Sequence, residues 1–378
     1  MKILVAGDLC PRDRIQDVFS KGNYSAFDDI RPIVDAADYS IVNLECPVVV
    51  GEVEPIKKCG PALRTDKSVI SAIKYAGFDC ATLANNHFRD FGSEGCKTTL
   101  EELGKQNIDF VGGGNNLKEA QKILYKEIKG KRLGIVNFCE NEFSIATETE
   151  GGAAPLDAVD NYNQITEARK NADYVLVIVH GGHEHYQLPS PRMKKLYRHF
   201  VTLGADAVVN HHQHCYSGYE FFEGKPIVYG LGNFCFDEED GRYKIWNEGY
   251  CVVINFSEKG IEIKQYPYIQ CNESPTITLM RNNQQEKFFN SIKKLNMIIS
   301  DDKQLQKSFE EWINIRHSSV VGLFASYHNR YLNAAAHRGW IPRIIKQNEV
   351  RAMLNYVACE AHRDITIEVL NRLMHNKK

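Results

Sequence analysis

The segment AVVNHHQHCY, residues 207–216, places three histidines within four positions. His211, His212 and His214 follow an apolar run, at the point where a buried strand would give way to a loop. Imidazole is a common metal ligand, and residues two apart point to the same face wherever strand geometry continues. His212 and His214 would then face one site together, whereas a turn in the chain leaves their arrangement open.

Polar side chains follow four other apolar runs in the first two thirds of the chain. Any one of them is more typical of a helix cap, a turn or a satisfied core histidine. In a parallel sheet, however, the carboxyl ends of the strands meet at one edge, where ligands bind. The residues are Asp8 with Cys10, Glu45, Asn85 with Asn86 and His87, and His180 with His183 and Glu184.

Two carboxylates and several imidazoles that meet at one edge carry a large burial cost unless a cation offsets their charge. The mixture of carboxylate, amide and imidazole donors suits Mn²⁺, Fe²⁺ or Zn²⁺ better than Ca²⁺. The pattern therefore predicts a divalent metal site at the carboxyl edge of the sheet.

Seven short runs rich in Val, Ile and Leu predict the strands that would position these side chains. Several are apolar throughout, which is typical of strands buried on both faces of a sheet covered by helices. Amphipathic segments between the runs predict helices, so the pattern favours an α/β fold. The predicted strands are 2–7, 39–44, 78–84, 131–139, 174–180, 205–210 and 226–234, and the predicted helices include 28–38, 66–77 and 191–204.

The pattern changes in the last third of the chain. Residues 249–270 alternate apolar and polar side chains around Gly260, which predicts an antiparallel hairpin that closes the sheet. Residues 280–378 have helical periodicity and few glycines, which predicts a helical C-terminal region acting as a cap or a dimer surface. We therefore expect two parts, 1–275 and 276–378.

The composition narrows the class of protein. The chain has 378 residues, of which 43% are hydrophobic, and a formal net charge of −2. This balance gives no basic field for nucleic acid, and no apolar run reaches the length of a membrane span. The N-terminal apolar run stops at Asp8, too early for a signal peptide. Eleven cysteines without a CxxC pair are typical of reduced core residues, so we expect a cytoplasmic protein.

Six blocks in a fixed order carry a resemblance to a known family. The blocks are GDLC (7–10), NLECP (43–47), LANNHFRDFG (83–92), VHGGHEHY (179–186), GADAVVNHHQH (204–214) and KPIVYGLGNFCF (225–236). Together they resemble the CapA family of capsule and poly-γ-glutamate synthesis proteins, which is similar to the calcineurin-like metallophosphoesterases. The resemblance implies a four-layer α/β/β/α metallophosphoesterase-like sandwich that holds two neighbouring divalent metal ions.

The resemblance also implies roles for single residues. His87 resembles the histidine that protonates the leaving group, and Asp90 would orient its ring. Cys10 stands where the superfamily has a histidine ligand, and Glu45 where it has a bridging aspartate. The implied metal ligands are Asp8 and His214 at the first metal, Asn86, His180 and His212 at the second, and Glu45 between the two.

Three departures from the family pattern limit the comparison. The thiolate of Cys10 would bind a softer metal; alternatively, Cys10 is a small buried residue and the first site is one ligand short. Glu45 adds a methylene to the bridge. Family members are often anchored at the outer face of the membrane, and this sequence shows no anchor, so the family's link to exported polymer transfers poorly.

The sequence leaves three functions open. The first is hydrolysis of a phosphoester, in a small-molecule or polymer substrate of capsule synthesis, by water that two metal ions (Mn, Fe or Zn) activate. The same centre would serve an amide hydrolase acting on a γ-glutamyl polymer, or a subunit associated with a ligase. A non-catalytic partner in capsule or polysaccharide assembly, or a homo-oligomer, would use the C-terminal region as its contact surface. The candidate substrate contacts are Arg12, Glu184 and Tyr186.

Overall fold

The computed structural model describes residues 1–324, 329–341 and 347–375. The remainder of the predicted C-terminal region lies outside the described residues. The strands are β1 (Lys2–Leu9), β2 (Tyr39–Leu44), β3 (Cys80–Thr82), β4 (Asp109–Val111), β5 (Gly113–Gly114), β6 (Leu124–Ile128), β7 (Lys131–Cys139), β8 (Gly152–Ala153), β9 (Tyr174–His180), β10 (Ala207–His211), β11 (Tyr219–Phe222), β12 (Lys225–Val228), β13 (Asn233–Cys235), β14 (Glu248–Ser257), β15 (Gly260–Gln270) and β16 (Ile277–Leu279). The α-helices are α1 (Asp13–Ser20), α2 (Arg31–Val34), α3 (Ser68–Ala76), α4 (Gly92–Lys105), α5 (Leu117–Ala120), α6 (Ala158–Asn171), α7 (Pro191–Thr202), α8 (Asn282–Ser300), α9 (Asp302–Phe324), α10 (Arg330–His337), α11 (Gln347–Ala358) and α12 (Glu360–His375).

The first sheet has the strand order β16-β15-β14-β1-β2-β3-β4, and β13 pairs with the end of β1. Strands β1 to β4 run parallel, with Ile3 opposite Tyr39 and Asp8 opposite Asn43. The predicted hairpin is confirmed: β14 and β15 pair antiparallel as far as the Ser257–Gly260 turn, and β14 extends the sheet beside β1.

The second sheet has the order β11-β12-β10-β9-β7-β6. Its central strands β7, β9, β10 and β12 are parallel. Cys139, His180 and His211 are in register at their carboxyl ends, because Cys139 pairs with His180 and His180 with His211. The ends of three strands therefore reach the same edge of this sheet.

The two sheets pack face to face, and helices cover their outer faces. Ile3, Val5 and Ile41 of the first sheet share one buried cluster with Leu176 and Val209 of the second. Separate clusters join the outer face of the first sheet to α1, α3 and α4, and the outer face of the second to α6 and α7. Strands buried on both faces explain the continuous apolar runs, and the predicted four-layer α/β/β/α sandwich is confirmed.

The C-terminal helices belong to the layer that covers the second sheet. Their apolar residues join the same cluster as Ile165 of α6 and Phe200 of α7. The helical prediction for this region is confirmed over the described residues. The C-terminal members of the cluster are Ile299, Leu305, Phe309, Ile313, Ile365 and Val369.

Two predicted elements differ in the structure. The run 226–234 is not one strand, because the chain leaves β12 in the second sheet and enters β13 in the first. Gly230 and Gly232, the latter with φ 78°, lie at this crossing. The helix predicted over 28–38 is shortened to the single turn of α2, where Pro32 occupies the first turn.

Two further predictions concern the environment of the chain. Of the eleven cysteines, all free, ten are buried and Cys59 is half-buried, as expected of reduced core residues. Within the described ranges, no helix combines the length and the apolar composition that a bilayer span requires.

Candidate metal centre

The carboxyl ends of both sheets meet at one edge of the sandwich. Asp8 ends the run of β1, and a Cβ at the preceding Gly7 would lie 1.9 Å from the carbonyl oxygen of Gly232, so only glycine fits there. On the facing sheet, His211 donates from Nε2 to the backbone oxygen of Ala6 at 2.9 Å. His211 therefore ties the two sheets together, and the residues around it face the same space.

The chain turns after β10, which resolves the arrangement of the histidine segment. Strand β10 ends at His211, and His212 (φ 91°) and His214 (φ 54°) both adopt left-handed backbone conformations. Such conformations are uncommon for residues other than glycine and cluster at functional sites. As a result, the rings of His212 and His214 reach two different groups of ligand atoms.

The first group consists of Asp8, Glu45 and His214, whose ligand atoms lie within 4.8 Å of one another. His214 Nε2 is 3.6 Å from Glu45 Oε1. His214 Nδ1 is 2.9 Å from Oδ1 of Asn233, whose amide nitrogen donates to the backbone oxygen of Trp246. Because an amide oxygen only accepts, Nδ1 carries the proton and Nε2 presents its lone pair to the group.

The second group consists of Glu45, His180 and His212, again within 4.8 Å of one another. His180 Nε2 lies 3.1 Å from His212 Nδ1 and 3.5 Å from Glu45 Oε1. Asn86 Oδ1 is 3.0 Å from the same His180 nitrogen, so its amide oxygen joins this group. All four side chains are buried, at 7% exposure or less.

Glu45 belongs to both groups, and its carboxylate is placed unfavourably for a charge. It is 0% exposed, and neither carboxylate oxygen has a hydrogen-bond partner among the described residues. Burial and the neighbouring Asp8 carboxylate raise the pKa of Glu45 well above its usual range. A cation would offset this cost, and the oxygen and imidazole donors fit divalent metal ions.

Cys10 takes a different place from the ligands around it. It is fully buried, and its thiol neighbours Cys46. Burial, with Cys46 as the second cause, raises the pKa of the Cys10 thiol well above its usual value. Among the described residues, Cys10 joins neither group of ligand atoms.

His87 and Asp90 form a dyad beside the second group. His87 Nδ1 lies 2.6 Å from Asp90 Oδ2, which also accepts the backbone N–H of Leu63 at 2.7 Å. The ammonium of Lys58 donates to the other carboxylate oxygen of Asp90. Burial lowers the pKa of His87, while the bond to Asp90 opposes that change. The dyad fixes the ring of His87 and leaves its Nε2 outside this hydrogen bond.

The candidate substrate contacts occupy three different settings. Glu184 is exposed and lines both of the cavities described below. Arg12 forms an ion pair with Glu238 at 2.8 Å on the rim of the second cavity. Tyr186 is 7% exposed and packs on Trp312 with ring centroids 4.8 Å apart, and it is absent from the described walls of either cavity.

Two cavities open on either side of His87. One, of about 310 Å³, lies between the C-terminal helices and the two groups of candidate ligand atoms, which are called the metal groups below. The other, of about 460 Å³, is lined by Phe236 and Trp246 and reaches His214. His87 and Glu184 line both cavities, so there is open space on two sides of His87.

The sequence profile of the bacterial capsule synthesis protein family PGA_cap matches residues 2–238. The chain belongs to this family. All the residues of both groups of candidate ligand atoms and of the His87–Asp90 dyad lie within the matched range.

Two curated relatives carry capsule-related names. The chain is 30% identical to the capsule biosynthesis protein CapA of Bacillus anthracis over 253 residues, covering 65% of this chain and 62% of the relative. It is 36% identical to the PGA biosynthesis protein CapA of Bacillus subtilis (strain 168) over 221 residues, covering 58% of each. The chain thus spans about three fifths of the length of these relatives.

Solved structures give weaker similarity. A hypothetical protein from Thermus thermophilus matches at 15% identity and a TM-score of 0.46, covering 71% of this chain and 99% of its own. A 5'-nucleotidase precursor from the same organism matches at 14% identity and a TM-score of 0.40, covering 79% of this chain and 58% of its own.

Sequence reasoning missed several residues that surround the candidate ligands. Glu142 follows the run 131–139, so the rule that found the other strand-end residues would have found it too. Lys58 lies in a segment without regular structure, and no periodicity marks it. Trp312 and Asn355 come from the C-terminal helices, and only the packing of the chain brings them to the site.

Proposed function

We propose that the protein is a phosphoester hydrolase that depends on two divalent metal ions (Mn, Fe or Zn) and acts on a small-molecule or polymer substrate of capsule or exopolymer synthesis. The observation that carries the proposal is Glu45, a buried carboxylate without a partner among the described residues that belongs to two ligand groups. Bound there, the ions would make hydroxide available from water at neutral pH and offset charge on the phosphoryl oxygens.

The chain's own residues divide the work between holding metal and moving a proton. Asp8 and His214 would hold one ion, Asn86, His180 and His212 the other, and Glu45 both. His87 would take up a second proton and donate it from Nε2 to the leaving oxygen, while Nδ1 keeps its proton on the bond to Asp90. Lys58 pairs with the other oxygen of the Asp90 carboxylate, and its ammonium lies 3.1 Å from His87 Nδ1.

The family and the relatives support the link to capsule polymer. The relatives in the two Bacillus species are named for capsule and PGA biosynthesis. Because the chain spans only about three fifths of them, substrate and partners belong to the proposal. Contact with other capsule-system proteins through the C-terminal helices would be compatible with hydrolysis at the metal centre.

Metal content per chain, measured by elemental mass spectrometry on untagged protein, tests the proposal. We expect about two Mn, Fe or Zn ions per chain and turnover of phosphoesters. His214→Ala should lower the metal content, whereas His199→Ala, an exposed histidine on α7, should not. Turnover of γ-glutamyl amides alone would replace the phosphoester with an amide. A protein that binds no metal and stays inactive with added Mn²⁺ or Fe²⁺ would contradict the catalytic role.

A further inference from the structure

The walls of the 310 Å³ cavity come from two distant parts of the chain. Lys58, His87 and Glu142 line it on the side of the metal groups. The opposite side, here called the C-terminal wall, consists of Trp312, Arg316, Asn355, Tyr356 and His362 from α9, α11 and α12. The family match ends at residue 238, so the C-terminal wall is an addition to the matched region.

Hydrogen bonds hold the C-terminal wall against the metal centre. Glu140, at the end of β7, accepts the backbone N–H of Ala361 in the first turn of α12 at 3.0 Å. Two residues further on, Glu142 accepts from the side-chain amide of Asn355 at 3.4 Å. Glu142 also lies 4.0 Å from Nε2 of His212, so its carboxylate is turned toward the metal side. The wall is thus a fixed part of the site.

Arg316 is the cation that the C-terminal wall presents to this cavity. Its guanidinium lies over the ring of Trp312, 5.3 Å from the centroid, and the residue is exposed. Among the described residues, no carboxylate lies within ion-pair distance of it. Lys58 on the opposite side is already paired with Asp90. An arginine stacked on an aromatic ring keeps its planar donors available for an anionic oxygen.

Two imidazoles add donors near Arg316. His183 is 3% exposed, packs on Trp312 with ring centroids 4.8 Å apart, and has no hydrogen-bond partner at either ring nitrogen among the described residues. Burial lowers the pKa of His183 to about 3, so the ring is neutral and offers one N–H. His362 Nδ1 accepts from the amide of Asn355 at 3.2 Å, which leaves Nε2 as a donor. Buried donors without a partner are costly unless a ligand uses them.

We propose that Arg316, with His183 and His362, binds an anionic group that the substrate carries in addition to its phosphoester, either a carboxylate or a second phosphate. This rests on the proposed function, because the phosphoester would occupy the metal centre at the other end of the same cavity. The C-terminal wall would then select the substrate, while the matched part of the chain performs the chemistry.

The test uses three phosphomonoesters with a three-carbon skeleton whose far end carries a hydroxyl, a carboxylate or a phosphate: glycerol 3-phosphate, 3-phosphoglycerate and propane-1,3-diol bisphosphate. Release of inorganic phosphate by the full, metal-loaded chain gives kcat/KM for each. We expect Arg316→Met to lower kcat/KM about tenfold more for a charged compound than for the neutral one. If kcat/KM falls more for the carboxylate compound, the bound group is a carboxylate; if it falls more for the bisphosphate, the group is a phosphate.

Arg338→Met is the matched control. Arg338 also stacks on a tryptophan, Trp340, at 5.4 Å, but neither residue lines the cavity. This variant should leave all three values unchanged. Arg316→Lys should keep part of the preference, because it keeps the charge but loses the planar donors. An equal effect of Arg316→Met on all three compounds, or none, would overturn the proposal.

Calorimetric titration of the same three compounds separates this proposal from the proposed function. If none is hydrolysed, the phosphoesterase proposal is wrong for these substrates, but their affinities still test Arg316. The anion site is supported if the wild type binds the charged compounds more tightly than the neutral one and Arg316→Met does not. Equal affinities for all three compounds, or no binding of any of them, contradict it.

Discussion

Glu45 shows at the scale of one residue why a cation would stabilise this site. Most buried carboxylates in the structure have a partner; Glu140, for example, is paired with Arg192 at 2.6 Å. Glu45 has none among the described residues and shares its surroundings with Asp8. Without a cation, the raised pKa means that Glu45 avoids an isolated buried charge by keeping its proton, whereas a bound divalent ion would stabilise the ionised carboxylate.

Glu45→Gln tests this cost through the pH dependence of stability. The pKa of Glu45 is raised in the folded state above its ordinary value of 4.5, so folding favours the protonated form. That stabilisation is complete below pH 4.5 and is lost as pH rises toward the folded-state pKa. In metal-free protein, urea unfolding should show wild type losing up to about 1.4 kcal/mol per pH unit relative to Glu45→Gln.

The same variant should lose its response to metal. Added Mn²⁺ should raise the Tm of the wild type and leave that of Glu45→Gln nearly unchanged, because binding to the folded state stabilises it. Glu150→Gln is the control, since its side chain is 55% exposed. In the pH experiment on metal-free protein, parallel stability profiles of wild type and Glu45→Gln would mean that Glu45 carries no unusual burial cost.

His87→Asn tests the proton donor separately from the metal ligands. His87 is held by Asp90 and takes part in neither ligand group, so metal content should stay at the wild-type level. Turnover should fall about a hundredfold for an alkyl phosphoester and far less for a nitrophenyl ester, whose leaving group needs no proton. Rates against leaving-group pKa check this. Equal losses on both esters would remove His87 as the proton donor.

At the scale of elements, the sequence predicted the strands better than the turns between them. The apolar runs gave β1, β2, β7, β9 and β10, because burial on both faces imposes a continuous apolar pattern. The residues after those runs met at one edge, as parallel pairing requires. The break within 226–234 was not predicted, because its strand halves belong to different sheets and only Gly230 and Gly232 mark the crossing.

The site was predictable only where it follows the strands. Asp8, Glu45 and His180 could be found from their positions after apolar runs. The left-handed conformations of His212 and His214 could not, because they depend on contacts with the facing sheet. The C-terminal wall could not be predicted at all, since helix periodicity shows which face is apolar but not where it packs.

Arg192→Met tests how α12 is held to the metal centre. Arg192, on α7, bridges Glu140 and Asp364, each at 2.6 Å. Removing it leaves Glu140, at 4% exposure, without its cation, so stability should fall by about 3 kcal/mol. Urea unfolding measures this. Arg198→Met on the same helix is the control and should cost about 1 kcal/mol or less, because that pair lies nearer to solvent.

We expect the catalytic efficiency of Arg192→Met to fall together with its stability. If α12 loosens, the C-terminal wall moves away from Glu142 and kcat/KM should fall in Arg192→Met but not in Arg198→Met. A destabilised Arg192→Met with unchanged kcat/KM would show that the wall is not needed for turnover.

At the scale of the whole molecule, the family match ends earlier in the chain than the hydrophobic core does. The match ends at residue 238, within the loop after β13. The core of the second sheet extends past it, because Phe309, Ile313 and Ile365 of the C-terminal helices share a cluster with α6 and α7. The part of the chain outside the match therefore supplies both stability and a wall of the site.

Deleting residues 276–378 tests whether the two predicted parts fold independently. The deletion exposes part of the outer face of the second sheet and removes twelve buried apolar side chains among the described residues. The six of them in the cluster with α6 and α7 alone account for a loss on the order of 10 kcal/mol. This is comparable to the whole stability of a typical domain, so residues 1–275 alone should not melt cooperatively by circular dichroism. Co-production with residues 276–378 should restore folding if the loss is one of packing. A fragment 1–275 that melts cooperatively near the Tm of the full chain would instead show an independent metal-binding domain, with the C-terminal helices as a separate addition.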